Sequence, residues 1–418
     1  MSKNDTIQKE YDVIVIGGGP AGMMAAGTAG ARGKRVLLVE KNKRLGEKLR
    51  ITGGGRCNVT NDESDLRKFL SHYGKVEQFL YSSFSEFNKQ HTFDFFTSRG
   101  LPLVVEANKR AFPHTHNATD VERIMEEYCK AGGVEALLGA PVEKVVIVAN
   151  RVAGVVVKGK TYSCKSLVLA TGGASHPETG STGDGFRFLS DAGHAIVPPT
   201  PSIVPVAVKD AWVKSLAGIS IDEMKITFFV DGKKAFLKKG KILCTHFGLS
   251  GPLILNSAKQ IGDLLHEGEV TATIDIYPSL DNGSLEKLIL GHFDTHKNKV
   301  LKNILKEFVP PGTSTAILSL LPESLAETKV HSVTRDERKL LVQTLKSLPV
   351  RVKGLMGFDR AVVADGELPL TEIDTRTMGS KKIPNLFVTG DLLHINRPSG
   401  GFSLQLCWTS GYVAGKNA

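Results

Sequence analysis

The chain has 418 residues, 41% of them hydrophobic and 23% charged, with a formal net charge of +10. That size suits two or three domains of ordinary globular composition. No apolar run is long enough to span a bilayer, the first ten residues lack the apolar core of a secretory signal, and the five cysteines are scattered without a C-x-x-C pair. These features argue against a membrane protein, a disulfide framework and a zinc site, and predict a soluble cytoplasmic protein with reduced thiols. The positive charge could attract nucleic acid, but no nucleic-acid-binding motif accompanies it, so the expected partner is a small molecule.

Taken in order, Tyr11–Ile16 is a continuous apolar run, as in a buried parallel strand. A glycine turn follows, then an alanine-rich helix to about Arg32 and a second strand, Arg35–Val39, ending at Glu40. That is a βαβ unit. A helix begins near Thr119, where Thr119 and Glu122 have capping-box spacing, and Val121, Ile124, Met125 and Tyr128 form one apolar face. Val142–Val148, Val152–Lys158 and Thr161–Ala170 read as a β-meander. Prolines 198, 199, 201 and 205 mark a boundary. Beyond it, Asp231-Gly232 signals a hairpin turn, and Ser284–Lys306 and Arg335–Leu348 look helical. An apolar strand returns at Leu386–Thr389, and a last helix starts after Gly400-Gly401. The expected organisation is one discontinuous domain, residues 1–198 plus 352–418, with an inserted mixed α+β domain at 199–351.

Gly17-Gly18-Gly19-Pro20-Ala21-Gly22 fits G-x-G-x-x-G. Gly17 permits the tight turn, Gly19 lets backbone approach a pyrophosphate, and Gly22 allows helix–strand packing. Pro20 suits an early helical position. The helix N-terminus then faces the phosphates, and Glu40, at the end of the second strand, is placed for ribose hydroxyls. Two later strand ends choose FAD over NAD. Leu167–Gly173 runs into Thr171-Gly172, and Leu386–Asp391 runs into Gly390-Asp391. Both resemble the second and third signatures of FAD-binding folds of the glutathione-reductase type, with the Asp391 carboxylate able to accept from a ribityl hydroxyl. Gly46–Asn61 adds three consecutive glycines with Lys48, Arg50 and Arg56, a loop suited to a pyrophosphate and the flavin edge. The fold class predicted is α/β, a Rossmann-type FAD-binding domain with an insert.

The chain resembles a family of bacterial FAD-binding proteins that includes NAD(P)/FAD-dependent oxidoreductases, aminoacetone-oxidase-like proteins and bile-acid-reductase-like flavoproteins. The carriers are Arg50–Asn61, Thr179–Gly185 (T-G-S-T-G-D-G), Ile196–Pro205, Thr245–Pro252 (T-H-F-G-L-S-G-P) and Gly400–Gly415. The resemblance implies an FAD domain interrupted by an insert. It implies that Glu40, Lys41, Arg56, Asn58, Gly390, Asp391, Gly401 and Phe402 line the cofactor and that Val142 meets the adenine through its backbone. The sequence departs from the family where Asp391 replaces a common Glu, where His394, Asn396 and Arg397 replace an acid and a glycine-rich turn, and at Ser403, often Asn. The substrate does not carry over.

The resulting expectation is an FAD-dependent oxidoreductase working by hydride transfer on a small organic substrate. With a single dinucleotide fingerprint, a nicotinamide donor, NAD(P)H, would bind transiently over the flavin. An amine-oxidising flavoenzyme and an RNA-associated or redox-sensing flavoprotein are the alternatives. His394 and Arg397, between Asp391 and Gly401, are the expected catalytic residues, one for proton transfer and one for an anion. Cys57 is placed beside the cofactor, with Cys407 a second thiol near it. The insert is expected to cover the flavin, with Thr245–Gly251 nearest the cleft. His114/His116 and His292/His296 lack a completing carboxylate, so no metal is expected. Lys233, Lys234, Lys238, Lys239 and Lys241 read as a solvated basic hairpin.

Overall fold

The computed structural model describes residues 10–361 and 363–418. They form two compact units: the chain up to Pro201 together with the segment after residue 361, and Ser202–Ala361.

The first unit is organised around a parallel sheet. The strand Glu10–Ile16 (β1) lies between Val36–Val39 (β2) and Lys160–Leu169, flanked in turn by Glu135–Leu137 and Leu386–Val388. The meander strands Val142–Val148 and Arg151–Val157 extend antiparallel from Lys160–Leu169. Ile16 is level with Val39 and with Leu169, and Leu169 with Val388. Gly17, Glu40, Ala170 and Thr389 therefore leave the sheet side by side at its carboxyl edge, where ligands of open α/β sheets bind. Burial on both faces explains why β1 and β2 lack an alternating pattern.

The helix Pro20–Ala31 (α1) is buried almost all round, as its lack of a polar stripe requires. It packs closely on two neighbours. A Cβ at Gly411 or Gly415 of the C-terminal helix Phe402–Asn417 would overlap the carbonyl of Ala21 or Ala25. A Cβ at Gly27 would overlap the Tyr128 ring of the helix Ala118–Ala131. That helix is capped two residues earlier than the capping-box spacing suggested: Asn117 is its N-cap, accepting from the Thr119 N–H at 3.0 Å. The segment 62–117, where the sequence suggested no element, folds as three helices (Leu66–Ser71, Glu77–Glu86, Lys89–Thr97) beside a small antiparallel sheet of Thr60–Asn61, Arg110–Pro113 and Leu103–Glu106.

The second unit is a closed barrel ordered Val206–Val208, Gly248–Ser250, Lys233–Thr245, Ser220–Val230, Val270–Asp275 and Leu348–Leu355. The hairpin predicted at Asp231-Gly232 joins two of its strands. The long helix expected over 284–306 is two pieces, Asn282–Thr295 and Leu301–Ile304, because Val300 turns extended and bridges Lys329. The helix Arg335–Lys346 stops short of Leu348, which pairs with Ile274 in the barrel. Among the described residues no helix is long and apolar enough to cross a membrane.

Candidate cofactor cleft

At the carboxyl edge of the first unit's sheet lies a cleft of about 840 Å³, including its open mouth. Gly17, with φ 105°, starts its floor, and a Cβ there would overlap the carbonyl of Ala170. Gly22 sits beneath the turn, where a Cβ would overlap the Gly17 carbonyl. Gly19 differs from both: a Cβ built on it meets nothing within 4 Å. It is also the N-cap of α1 and has no side chain to cap it, so the N–H groups of Ala21 and Gly22 have no side-chain acceptor among the described residues. The first turn holds no acidic residue. Open space at a free helix N-terminus is what a pyrophosphate requires.

Glu40 closes the second wall. Its carboxylate accepts from the Gly18 N–H at 2.6 Å and the Asn42 N–H at 2.8 Å, which fixes it at the tip of β2. Burial pushes its pKa above the ordinary glutamate value, although those two bonds oppose the shift. Lys41 is turned toward the loop after the strand Lys160–Leu169, donating to Thr182 at 2.5 Å and Asp184 at 2.7 Å. Asn42 donates to the Thr179 carbonyl at 2.9 Å.

The opposite end is a buried charged group. Lys48 donates to Ser175 at 2.5 Å and lies 3.8 Å from Asp391. Burial lowers its pKa, with Asp391 acting against that. Arg397 is fully buried and ion-paired with Asp391, and it donates to the Ile395 carbonyl at 2.5 Å and to Ser403 at 3.1 Å. Burial works against its charge, but Asp391 and Glu367 overcome this and hold it protonated. The Asp391 carboxylate, just past the strand Leu386–Val388, is thus oriented from behind.

Of the residues singled out in the sequence, Gly17, Gly19, Pro20, Ala21, Glu40, Lys41, Lys48, Val142, Thr171, Gly172, Gly390 and Asp391 line this cleft. Arg56, Cys57, Asn58, His394, Arg397, Gly401 and Phe402 do not. Arg56 pairs with Glu106, meets His116 at 2.9 Å and lies over the Phe112 ring at 4.2 Å. With its amide nitrogen turned to the Thr60 and Ala111 carbonyls, the orientation that satisfies both ends, Asn58 accepts from the Gly401 N–H at 3.0 Å and braces the start of the C-terminal helix. A Cβ at Gly401 would overlap the backbone of Thr60. Phe402 is buried against Phe69 and His72, with ring centroids 5.0 and 4.4 Å away. His394 is half-buried, and its backbone N–H donates to Leu368 at 2.9 Å. Cys57 is buried away from the cleft while Cys407 lines it, and burial pushes both thiols up to about 12. Asn42, Ser181 and Asp184 were missed as lining residues; the last two lie in the T-G-S-T-G-D-G stretch, whose glycine spacing was the available signal.

The residues present suit a dinucleotide of the FAD type: a phosphate-sized opening on a free helix end, an acid at the second strand, and an oriented acid at a third. Comparison with known proteins agrees. The model of the HI0933-like protein Rossmann domain matches residues 11–417. The chain belongs to that family. It is an FAD-dependent oxidoreductase on a Rossmann-type fold. Two relatives that match nearly the whole chain are distant. A ribosomal RNA dihydrouridine synthase of Escherichia coli is 27% identical over 414 residues, 98% of each chain. A 3-dehydro-bile acid delta(4,6)-reductase of Clostridium scindens is 26% identical over 412 residues, 97% of this chain and 98% of that one. The fold is shared with a 3-ketosteroid-delta4-(5alpha)-dehydrogenase of Rhodococcus jostii, at a TM-score of 0.53 and 17% identity, covering 99% of this chain and 98% of the other.

Elsewhere, Glu307 approaches both histidines of the 292/296 pair, at 3.8 and 2.6 Å, a carboxylate the sequence spacing did not reveal. Among the described residues no group of His, Cys, Asp and Glu is arranged to hold a metal ion.

Proposed function

We propose that this flavoprotein reduces a ring C=C bond conjugated to a carbonyl, and that its substrate is the uracil ring within RNA. The observation that carries the reading is a shared bond change. Two relatives matching nearly the whole chain are named for different molecules, uridine in ribosomal RNA and a 3-dehydro steroid, yet each name describes hydrogen added to a ring double bond. A carbonyl beside that bond withdraws electrons from it and opens the far carbon to hydride. Of the two substrate types, the polyanion suits a chain with a net charge of +10.

FAD, once bound and reduced by NAD(P)H, would supply the hydride; the chain must bind the ring, exclude water and deliver one proton to the carbon next to the carbonyl. His394, half-buried three residues after Asp391, is the proposed proton donor. Arg397, fully buried on Asp391, is reassigned from catalysis to positioning. NAD(P)H is the proposed transient electron source.

The test is an anaerobic half-reaction. The flavin is reduced by NADPH or NADH, then mixed with ribosomal RNA, free uridine, a conjugated 3-oxosteroid, or buffer. The expected result is recovery of the oxidised flavin band with RNA only, and a gain of two hydrogens on a uridine by mass spectrometry. His394→Gln should slow this step and leave reduction by NAD(P)H unchanged. Reoxidation by the steroid or free uridine but not by RNA, or by none of the three, would overturn the reading, and in a parallel anaerobic mixing of the oxidised protein, flavin reduction by amines would favour the amine-oxidising alternative.

A further inference from the structure

We infer that the β-hairpin of the second unit, Ser220–Val230 with Lys233–Thr245, is an RNA-backbone docking arm. The inference rests on the proposed RNA substrate. The stretch 233–241 reads K-K-A-F-L-K-K-G-K, five lysines and no acid. All five lysines are exposed, as are Ala235 and Leu237 between them. In a strand successive side chains point to opposite faces, so exposure at nearly every position means the strand stands clear of the barrel on both sides. Only Phe236 turns in, stacked on Phe228 at 4.7 Å between ring centroids.

Charge pairing leaves most of this positive potential uncompensated. Lys241 meets Asp222 at 3.0 Å, and Lys225 on the neighbouring strand meets Asp275 at 2.8 Å. Lys233, Lys234, Lys238 and Lys239 have no ion pair among the described residues. The turn acid, Asp231, accepts from the Glu269 N–H at 3.0 Å and is spent on the turn. The strand's outer edge is also open: Lys233–Thr245 pairs with the next strand only from Leu243 to Thr245. Two lysine pairs stand about 16 Å apart along that edge, at roughly 3.3 Å per residue. Leu237 lies between them, 43% exposed. Cations spaced along an open strand edge complement a phosphate backbone, and a central apolar side chain can meet sugar or base.

Edge strands also use lysine to block pairing with other copies. One or two lysines serve that purpose. Four lysines without an ion pair among the described residues, on a stretch 233–241 that itself holds no acid, exceed it, because a guard needs no single sign of charge.

The test compares the full-length holoprotein with the fourfold variant K233Q/K234Q/K238Q/K239Q and with the matching fourfold Lys→Arg variant. Anisotropy of an end-labelled ribosomal RNA transcript is followed across a salt series. Sedimentation with phosphatidylglycerol vesicles is the second arm, and gel filtration and flavin content report folding. Each phosphate contact contributes about 0.7–0.9 to the log–log salt slope, so the glutamine variant should lose roughly 3 from the slope and bind about tenfold or more weakly. The arginine variant should bind as wild type, and both should keep FAD and be reduced by NAD(P)H normally. Unchanged RNA binding by the glutamine variant, with or without new self-association, overturns the inference while leaving the RNA substrate standing. A wild-type protein that binds vesicles but not RNA, or neither, overturns the RNA substrate itself and the arm with it.

Discussion

Two glycines three residues apart should fail in opposite ways. At Gly22, a Cβ would overlap the Gly17 carbonyl and lie 3.2 Å from Ala170 Cβ, both parts of the folded core. Backbone cannot yield cheaply, so Gly22→Ala should destabilise the apoprotein by about 1–3 kcal/mol or more, as overpacking does. At Gly19 the same atom meets open space, and φ −79°, ψ −175° is an extended conformation that valine accepts. Gly19→Val therefore costs the apoprotein only about 1 kcal/mol, the loss of a good N-cap residue. The cofactor bears the damage. A branched side chain would occupy the space before the helix N-terminus and deny a pyrophosphate two charge-assisted N–H bonds at about 1.5–3 kcal/mol each. That sums to roughly 3–6 kcal/mol, or about 100- to 10,000-fold in the Kd for FAD. The assays are thermal unfolding of the apoproteins and calorimetric titration with FAD. If Gly19→Val retains wild-type FAD affinity, or Gly22→Ala is as stable as wild type, the assignment of these two glycines is refuted.

Burial raises the Glu40 pKa, so its carboxylate takes up a proton at a higher pH than an ordinary glutamate and ceases to accept from a ribose hydroxyl. FAD affinity should therefore fall on acidification, beginning above the ordinary glutamate range, and a pH series of FAD titrations should show this dependence absent from Glu40→Gln, which binds weakly throughout. Arg397→Ala strands the Asp391 carboxylate beside a fully buried site, and chemical denaturation should show a loss of about 3–5 kcal/mol. Its FAD affinity should drop as Asp391 loses its orientation, whereas a variant that stays fully stable would mean the pair is not formed. All five cysteines are buried, with thiols pushed up to about 11 for Cys244 and about 12 for the other four. A thiol-reactive disulfide reagent should titrate none in the native holoprotein at neutral pH and five after denaturation; rapid reaction of Cys57 or Cys407 in the native state would restore a redox role for them.

The parts of the site that could be read from sequence are those written in consecutive residues. The βαβ unit shows because a buried parallel strand is an unbroken apolar run and because each turn glycine answers a local need: φ 105° at Gly17, open backbone at Gly19, close packing at Gly22. Thr171-Gly172 and Gly390-Asp391 were legible for the same reason, each standing at the end of its own apolar strand. What stayed hidden depends on partners far along the chain. Arg56 looked like a phosphate ligand in a basic loop, but Glu106 and Phe112, about fifty residues away, hold it elsewhere. Glu307 is likewise invisible from the spacing of His292 and His296. The barrel escaped because closure is a matter of register, which short strands such as Val206–Val208 do not declare. Arg397 is the most instructive miss. Its sequence position, between two cofactor segments, is equally compatible with a side chain facing substrate and one facing the core. Only its complete burial against Asp391 decides, and it decides for the core. The guanidinium that seemed free to bind an anion is committed to orienting one, so the proposed chemistry toward the substrate rests on His394, half-buried at the same loop, and on the lysine arm.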